Sequence, residues 1–238
     1  MSATDARARE VFVELADTLV ADFDIIDFLE TLAERVVELL DVAACGLLLV
    51  DQHGALNLVA ASTEQTRMLE LFQVQTAEGP CVECFRTGQP IDVPDLAVAD
   101  TRWPVFAPAA RAAGYRAVHA LPMQLRSDTI GALNLFSETG SVLSADARQL
   151  GQTMANAATI AILHQRAIRH MELVADQLQT ALNSRIVIEQ AKGVLAERHG
   201  VDVDEAFVLL RSHARHHRYK LSDLAMAVIH NEQVIPAP

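Results

Sequence analysis

The feature that most constrains this chain is a helical pattern that begins near Ser144 and continues without a stop signal to Arg198 or His199. Helices of globular proteins typically run about 8–20 residues, so this one is unusually long for a compact domain. Its later part carries apolar residues at a seven-residue spacing, interrupted by the polar Arg185: Met171, Val174, Leu178, Ala181 and Ile188. Such a stripe is stable only when another helix covers it. We expect a helical stalk over residues 166–178 that either pairs with a second copy of the chain or folds back on its own domain.

The charge of the chain is divided unevenly between its two parts. Residues 1–163 hold ten basic and twenty-two acidic side chains, whereas residues 164–238 hold nine of each and seven of the nine histidines. The second part contains a cluster of side chains that can carry positive charge: Arg211, His213, Arg215, His216, His217, Arg218 and Lys220. Such an asymmetry, with a basic corner on a small helical module, is typical of a nucleic-acid reader attached to a controlling domain.

Composition indicates a folded protein that is neither exported nor membrane-bound. Of the 238 residues, 51% are hydrophobic, which allows one large or two modest domains with a substantial core. The charged start has no apolar signal region. The longest apolar runs, residues 43–50 and 157–163, fall far short of the roughly 20 residues of a membrane span. Since three cysteines do not make a disulfide framework, we expect a cytoplasmic protein without a membrane partner.

The part ahead of the stalk mixes helical and strand patterns. Helical spacing with Val11, Leu15 and Leu19 covers residues 5–41, and a hairpin with Gly54 in its turn follows at 43–62. Next come a helix (63–73) and then a short helix with a strand (78–95). A Trp/Pro loop then leads to a helix (102–111), and two strands follow (116–137). This order predicts an α/β domain with an antiparallel sheet and flanking helices.

Three strings in this part carry a family resemblance: EGPCVECFRTGQPIDVPDL (78–96), ALPMQLRSDTIGALNLFS (120–137) and the helix from Leu143. Together with the hairpin they resemble a GAF domain, which we place at residues 8–165. The resemblance implies a sensor of an unknown small-molecule or protein signal, with a pocket between the sheet and the loops of residues 78–111. The resemblance does not imply a particular cofactor, and most GAF domains are not enzymes.

Three side chains of the predicted sensor are candidates for detecting a signal: Cys81, Cys84 and His119. The two cysteines, one helical turn apart, fit structural packing, a redox switch or half of a metal site. A structural zinc site usually needs about four ligands, and no second cysteine pair is present, so we predict no metal. Strand alternation puts His119 on the face of Leu121 and Met123, where it either touches a ligand or is a hydrogen-bonded core histidine.

The last sixty residues predict three helices, the first continuous with the stalk. Three strings here also resemble a known family: RIVIEQAKGVL from Arg185, EAFVLLR from Glu205, and the Leu221 and Leu224-Ala225 positions. They resemble an ANTAR domain, the RNA-binding module of bacterial transcription antitermination regulators, which we place at residues 179–238. Asp202 and Glu205 have capping-box spacing. The small residues Ala191 and Gly193 suit either tight helix packing or RNA contact, and we expect a tight packing position on the long helix.

The expected fold is therefore an α/β GAF sensor domain joined by a long helix to an all-α three-helix ANTAR bundle. The resemblance and the basic residues together predict binding to hairpins in nascent RNA by a homodimer. The expected contacts neutralise phosphates or stack on bases: Arg185, Lys192, Arg211, Arg215, His216, Arg218, Tyr219 and Lys220.

Two other functions stay open at this point, a DNA-binding transcription factor and a ligand-sensing interaction module without a nucleic-acid partner. Enzyme motifs such as Gly-x-Ser-x-Gly, HExxH or a phosphate-binding glycine loop are missing from the sequence. We therefore predict a regulator and no catalytic residues.

Overall fold

The computed structural model describes residue 7 and residues 9–11, 13–14, 24–140 and 142–236. Of the first predicted helix, Leu15 and Leu19 lie outside these residues. The chain divides into two compact units, Met1–Arg166 and Ala167–Pro238, which we call the front unit and the back unit. Within the described residues, none of the helices combines the length and the apolar composition that crossing a lipid bilayer requires.

The front unit is built on an antiparallel sheet. Its elements are α1 (Ile25–Leu40), β1 (Ala44–Val50), β2 (Leu56–Ala61), α2 (Glu64–Thr76), α3 (Pro80–Thr87), β3 (Ile91–Val93), a 3-10 turn (Leu96–Val98), α4 (Phe106–Ala112), β4 (Ala117–Leu125) and β5 (Asp128–Ser137). The strand order is β2-β1-β5-β4-β3, and every neighbouring pair is antiparallel. The predicted fold class is confirmed.

Local chemistry explains where the β1–β2 hairpin turns. One carboxylate oxygen of Asp51 accepts hydrogen bonds from the backbone N–H groups of His53 and Ala55, at 2.8 and 3.0 Å. Gly54 takes a φ of 83°, a left-handed conformation that glycine adopts at little cost. The turn therefore follows from the residues that form it, and the predicted hairpin is confirmed.

The sheet has a hydrophobic core on each face. On the α1 face, Leu121 and Met123 of β4 pack with α1 and with the first turns of the long helix α5 (Ala145–His199). On the α2 face, Val118 and Ala120 of the same strand belong to a core formed with α2, α3 and α4. Because successive residues of a strand point to opposite faces, this division fixes the side on which each polar residue of β4 lies.

The back unit is a bundle of three helices, as predicted. The last turns of α5 pack with α6 (Val203–His217) and α7 (Leu221–Ile229) around a core that includes Ala191, Leu195 and Leu210. The predicted capping box at the start of α6 is present, because Asp202 accepts a hydrogen bond from the backbone of Glu205 at 2.7 Å. Such a cap contributes about 1 kcal/mol to stability.

Candidate nucleic-acid interface and sensor core

A group of polar side chains surrounds the junction of α6 and α7. We call them the basic corner, and all are exposed: Arg211, Arg215, His216, His217, Arg218, Tyr219 and Lys220. Arg218 ends α6 in a left-handed conformation, with a φ of 57° and its N–H bonded to the last carbonyls of the helix. Lys220 then begins α7 as its N-cap. The tight turn between the helices brings these side chains together.

Within the described part of the chain, the cations of the basic corner lack a carboxylate partner. Among the described residues, none of Arg211, Arg215, Arg218 and Lys220 forms an ion pair. In the front unit several cations are paired, such as Arg35 with Glu14 and Glu38, and Arg102 with Glu83. In a chain with thirty-one acidic and nineteen basic side chains, unpaired cations at one corner are available to an anionic partner.

Aromatic rings line the same corner. The ring centroid of His217 lies 4.4 Å from that of His213, 4.9 Å from that of His216 and 5.8 Å from that of Tyr219. The His217 and Tyr219 rings are stacked with an interplanar angle of 21°, and Tyr219 is 51% exposed. Partial burial, followed by the neighbouring His217 and His216, lowers the pKa of His213. The corner therefore presents flat ring surface beside its cations.

Two of the predicted RNA contacts lie outside the basic corner, on α5. Arg185 is exposed on this helix. Lys192 is already engaged: its Nζ lies 2.9 Å from Glu189 Oε2 and 5.3 Å from the ring centroid of Phe207, and its side chain is 13% exposed. Six of the eight predicted contacts thus belong to the basic corner, and Arg185 and Lys192 lie on the neighbouring helix of the same bundle.

The small residues of α5 differ in their surroundings. Ala191 is fully buried in the bundle core, as expected. Gly193 is exposed, and a Cβ placed on it would meet nothing within 4 Å. The expectation of tight packing at Gly193 is therefore wrong, because Gly193 lies on the solvent side of α5 in the described chain.

The candidate sensor thiols are buried on the α2 face. Cys81 and Cys84 lie on α3 without solvent exposure and are not joined in a disulfide. Burial, followed by the proximity of Glu70, raises the pKa of Cys81 well above its usual 9, and burial raises the pKa of Cys84 to about 12. A position near a helix N-terminus would lower a thiol pKa, but desolvation outweighs that effect here. This environment favours packing over the reactive thiolate of a redox switch.

His119 lies on the opposite face of the sheet, the α1 face, with Leu121 and Met123. Its Nδ1 is 2.8 Å from Asp92 Oδ1, across the β3–β4 pair, and Arg148 lies 3.2 Å from the other Asp92 oxygen. The helices and loops of residues 78–111 pack against the α2 face. His119 was expected either to touch a ligand or to be a hydrogen-bonded core histidine, and this geometry agrees with the second interpretation.

The structure also shows a buried polar cluster that the sequence analysis missed. Glu70 and Gln73 of α2 and Asn134 of β5 are fully buried on the α2 face beside Cys81. Glu70 accepts hydrogen bonds from Asn134 and Gln73, and its burial raises its pKa to about 8. Asn134 is the polar residue in the apolar run 130–136 of β5, which was the one available signal. A glutamate on a helix normally predicts a solvated position.

A groove of about 260 Å³ opens on the same side of the front unit. It is lined by the end of the β1–β2 hairpin, by Val74 near the end of α2, and by Val82, Phe85 and Arg86 of α3. Residues of the predicted 78–111 segment thus line a surface groove next to the hairpin, and Arg86 is the charged side chain of its wall.

The chain thus combines a sheet that has helices on both faces with a helical bundle that has an exposed basic corner. A family model for the GAF domain matches residues 24–163, and a family model for the ANTAR domain matches residues 176–229. The chain belongs to the GAF domain family, and its GAF domain is followed by an ANTAR domain, in the predicted order. Both are sensor and regulatory domains, which favours a non-enzymatic role.

Solved structures share the fold of the front unit. The GAF domain of an Acinetobacter phosphoenolpyruvate-protein phosphotransferase matches with a TM-score of 0.55 and 15% identity, covering 71% of this chain and 98% of its own. The corresponding Coxiella burnetii domain gives 0.53 and 19%, covering 71% and 99%. Free methionine-R-sulfoxide reductase from Neisseria meningitidis, an enzyme, gives 0.53 and 17%, covering 71% and 95%. No curated protein matches this chain.

Proposed function

We propose that this protein is a transcription antitermination regulator that binds RNA hairpins through its basic corner under control of its GAF domain. The observation that carries the proposal is the set of unpaired cations beside exposed rings at the α6–α7 junction. Lys and Arg side chains release counterions when they neutralise phosphates. Rings and guanidinium planes stack on the unpaired bases of RNA loops. By acting on nascent transcripts, the protein works in the cytoplasm.

Lys192 and Arg185 have a secondary part in this proposal. Lys192 can bind a phosphate only if it exchanges the carboxylate of Glu189 for it. That exchange contributes less binding free energy than a phosphate contact by an unpaired cation, because the ion pair with Glu189 must first be broken. We assign the main contacts to the basic corner and extend the surface along α5 through Arg185.

The stalk supports a homodimer. Met171, Val174, Leu178 and Leu182 of α5 are exposed by 62%, 40%, 66% and 54% in the single chain. They share one side of the helix at 3.6 residues per turn, and exposed apolar stripes on helices are typically covered by a second helix. A second copy of the chain supplies a matching stripe, and the dimer carries two basic corners for RNA hairpins. A small molecule or protein bound by the front unit would set how the two basic corners of the dimer are arranged.

Charge reversal at the basic corner tests the proposal. In Arg215→Glu combined with Lys220→Glu, we expect hairpin RNA affinity to fall by at least tenfold and the salt dependence to become shallower, since each lost phosphate contact lowers the slope. Arg116→Glu, an exposed cation of the front unit, is the control and should bind normally. Crosslinking and sequencing of bound transcripts, with and without residues 179–238, identifies the targets.

Other outcomes would redirect the proposal. Tighter binding of duplex DNA than of hairpin RNA would point to a DNA-binding factor. If both substitutions leave RNA binding unchanged, the basic corner does not bind the RNA, and an acidic protein is the partner that would fit it.

A further inference from the structure

The buried polar cluster on the α2 face contains a carboxyl group, which occupies a space left by a glycine of the sheet. Glu70 is fully buried between α2 and the central strands β1 and β5. A Cβ at Gly46 of β1 would lie 2.4 Å from Glu70 Oε1, so the missing side chain of Gly46 provides the room that this carboxyl occupies. Gly79 likewise leaves room for the Gln73 amide, since a Cβ there would lie 2.2 Å from Gln73 Oε1.

Hydrogen bonds link this carboxyl to both helices and to the sheet. Asn134 Nδ2 of β5 donates to Glu70 Oε1 at 2.6 Å, and Gln73 Nε2 donates to Glu70 Oε2 at 2.9 Å. Gln73 Oε1 in turn accepts from the backbone N–H of Cys81 at 3.1 Å, near the start of α3. One chain of bonds thus connects β5, α2 and α3 through Glu70.

No cation faces this carboxyl among the described residues. The titratable group beside it on this face is the fully buried thiol of Cys81 on α3. The thiol of Cys45 on β1 is buried on the opposite face of the sheet, and α2 and β5 contribute the amides of Gln73 and Asn134. An ionised carboxylate is strongly disfavoured without a counter-ion in a dry core, and such a group keeps its proton instead.

The bond to Asn134 fits a protonated acid. The other amide atom of Asn134, Oδ1, is buried and has no hydrogen-bond partner among the described residues. Amide nitrogen and oxygen are assigned from their hydrogen bonds, not from position. With this amide turned by half a turn, Glu70 Oε1 can instead donate its proton to Oδ1 at the same 2.6 Å, within the range of an O–H donor and a carbonyl oxygen. Nδ2 then takes the position without a partner.

We propose that Glu70 is a neutral carboxylic acid in the folded GAF domain, and that its proton holds α2 and α3 against the sheet as an alkali-sensitive lock. Loss of the proton would place an uncompensated charge among β1, β5 and α3, and ionisation therefore favours opening of the two helices. The environment raises the pKa of Glu70 from its ordinary 4.5 to about 8, so the lock releases in mildly alkaline conditions.

The sign of the pH dependence follows from proton binding. The unfolded chain loses this proton near pH 4.5 and the folded domain near pH 8, so the folded state binds one more proton between these values. Its contribution to stability is complete below pH 4.5 and is lost as the pH rises to 8. The folding equilibrium constant should fall by about tenfold per pH unit inside this window from this group alone.

The full chain provides its own probe for the first experiment. Trp103 is the only tryptophan and lies buried on the α2 face, so its fluorescence reports urea unfolding of the front unit. Glu70→Gln keeps the shape and the hydrogen-bonding capacity without the titratable proton, and Glu34→Gln removes an exposed carboxylate as the matched control. Between pH 5.5 and 8 (about one proton of difference), the wild type and the control should lose stability more steeply than Glu70→Gln.

A second measurement does not depend on how well the variant folds. A neutral carboxylic acid has a carbonyl stretching band that ionised carboxylates lack. We expect this infrared band in the folded wild type at pH 7, its loss above pH 9 (about one unit beyond the titration), and its absence in Glu70→Gln. Parallel stability curves for wild type and Glu70→Gln, or a wild-type spectrum at pH 7 without that band, would overturn the proposal.

Discussion

At the scale of single residues, burial decides the chemistry of the front unit more than sequence position does. Cys81 stands in the first turn of α3, where helix N–H groups favour a thiolate, yet it has no solvent contact and lies beside Glu70. Both surroundings favour the neutral thiol. Glu70 itself would be solvated on an isolated helix, and the sheet makes it a buried acid. The cations of the basic corner, by contrast, are exposed and available to a partner.

The buried thiols lead to a prediction about reactivity. In native protein at pH 7.5 (about one unit below an ordinary thiol pKa), we expect Cys81 and Cys84 to resist iodoacetamide, since the reactive thiolate is scarce and the sulfur atoms are covered. Mass spectrometry after timed labelling measures this, with urea-unfolded protein as the fully labelled reference. Ser127→Cys, placed in the exposed β4–β5 turn, is the control and should be labelled promptly. Labelling of native Cys81 as fast as this control would restore the redox-switch interpretation.

At the scale of elements, the sequence was informative wherever local chemistry sets the structure. Asp51 and Gly54 form their hairpin turn, and Asp202 with Glu205 caps α6, because the interacting groups are a few residues apart. The long helix was predictable since no proline or capping signal interrupts it. Gly193 was misjudged because small size does not tell which side of a helix meets a neighbour. The Glu70 cluster was missed because its partner on the sheet, Asn134, is 64 positions away in the chain.

The stalk leads to a prediction about association. Leu178 lies in the exposed stripe of α5, and a buried aspartate there would disfavour helix pairing, so Leu178→Asp should weaken self-association by at least tenfold. Sedimentation equilibrium over a range of concentrations measures this. Leu173 is similarly exposed, by 62%, but five residues rotate it by about 140° from Leu178; Leu173→Asp is therefore the control. A wild type that stays monomeric, or two variants that associate alike, would rule out pairing through this stripe.

At the scale of the whole molecule, the two units carry different charge. The front unit, residues 1–166, holds eleven basic and twenty-two acidic side chains, and residues 167–238 hold eight and nine. A polyanion such as RNA is repelled by the first and attracted locally by the basic corner of the second. Affinity is therefore the difference between a short-range attraction and a longer-range repulsion, and the two depend on salt differently.

The balance between local attraction and repulsion predicts how the RNA affinity of the back unit alone differs from that of the full chain. Residues 167–238 form a compact unit that retains the exposed stripe of the stalk, so as a separate fragment they should bind hairpin RNA more tightly than the full chain at low salt. The Debye length falls from about 30 Å at 0.01 M to about 10 Å at 0.1 M ionic strength, so added salt screens charges that do not touch the RNA before it screens the direct contacts. The two affinities, measured by fluorescence anisotropy, should converge as salt is added. A full chain that binds more tightly at every salt concentration would mean that the GAF domain contributes attractive contacts of its own, and that control by the front unit does not work through repulsion.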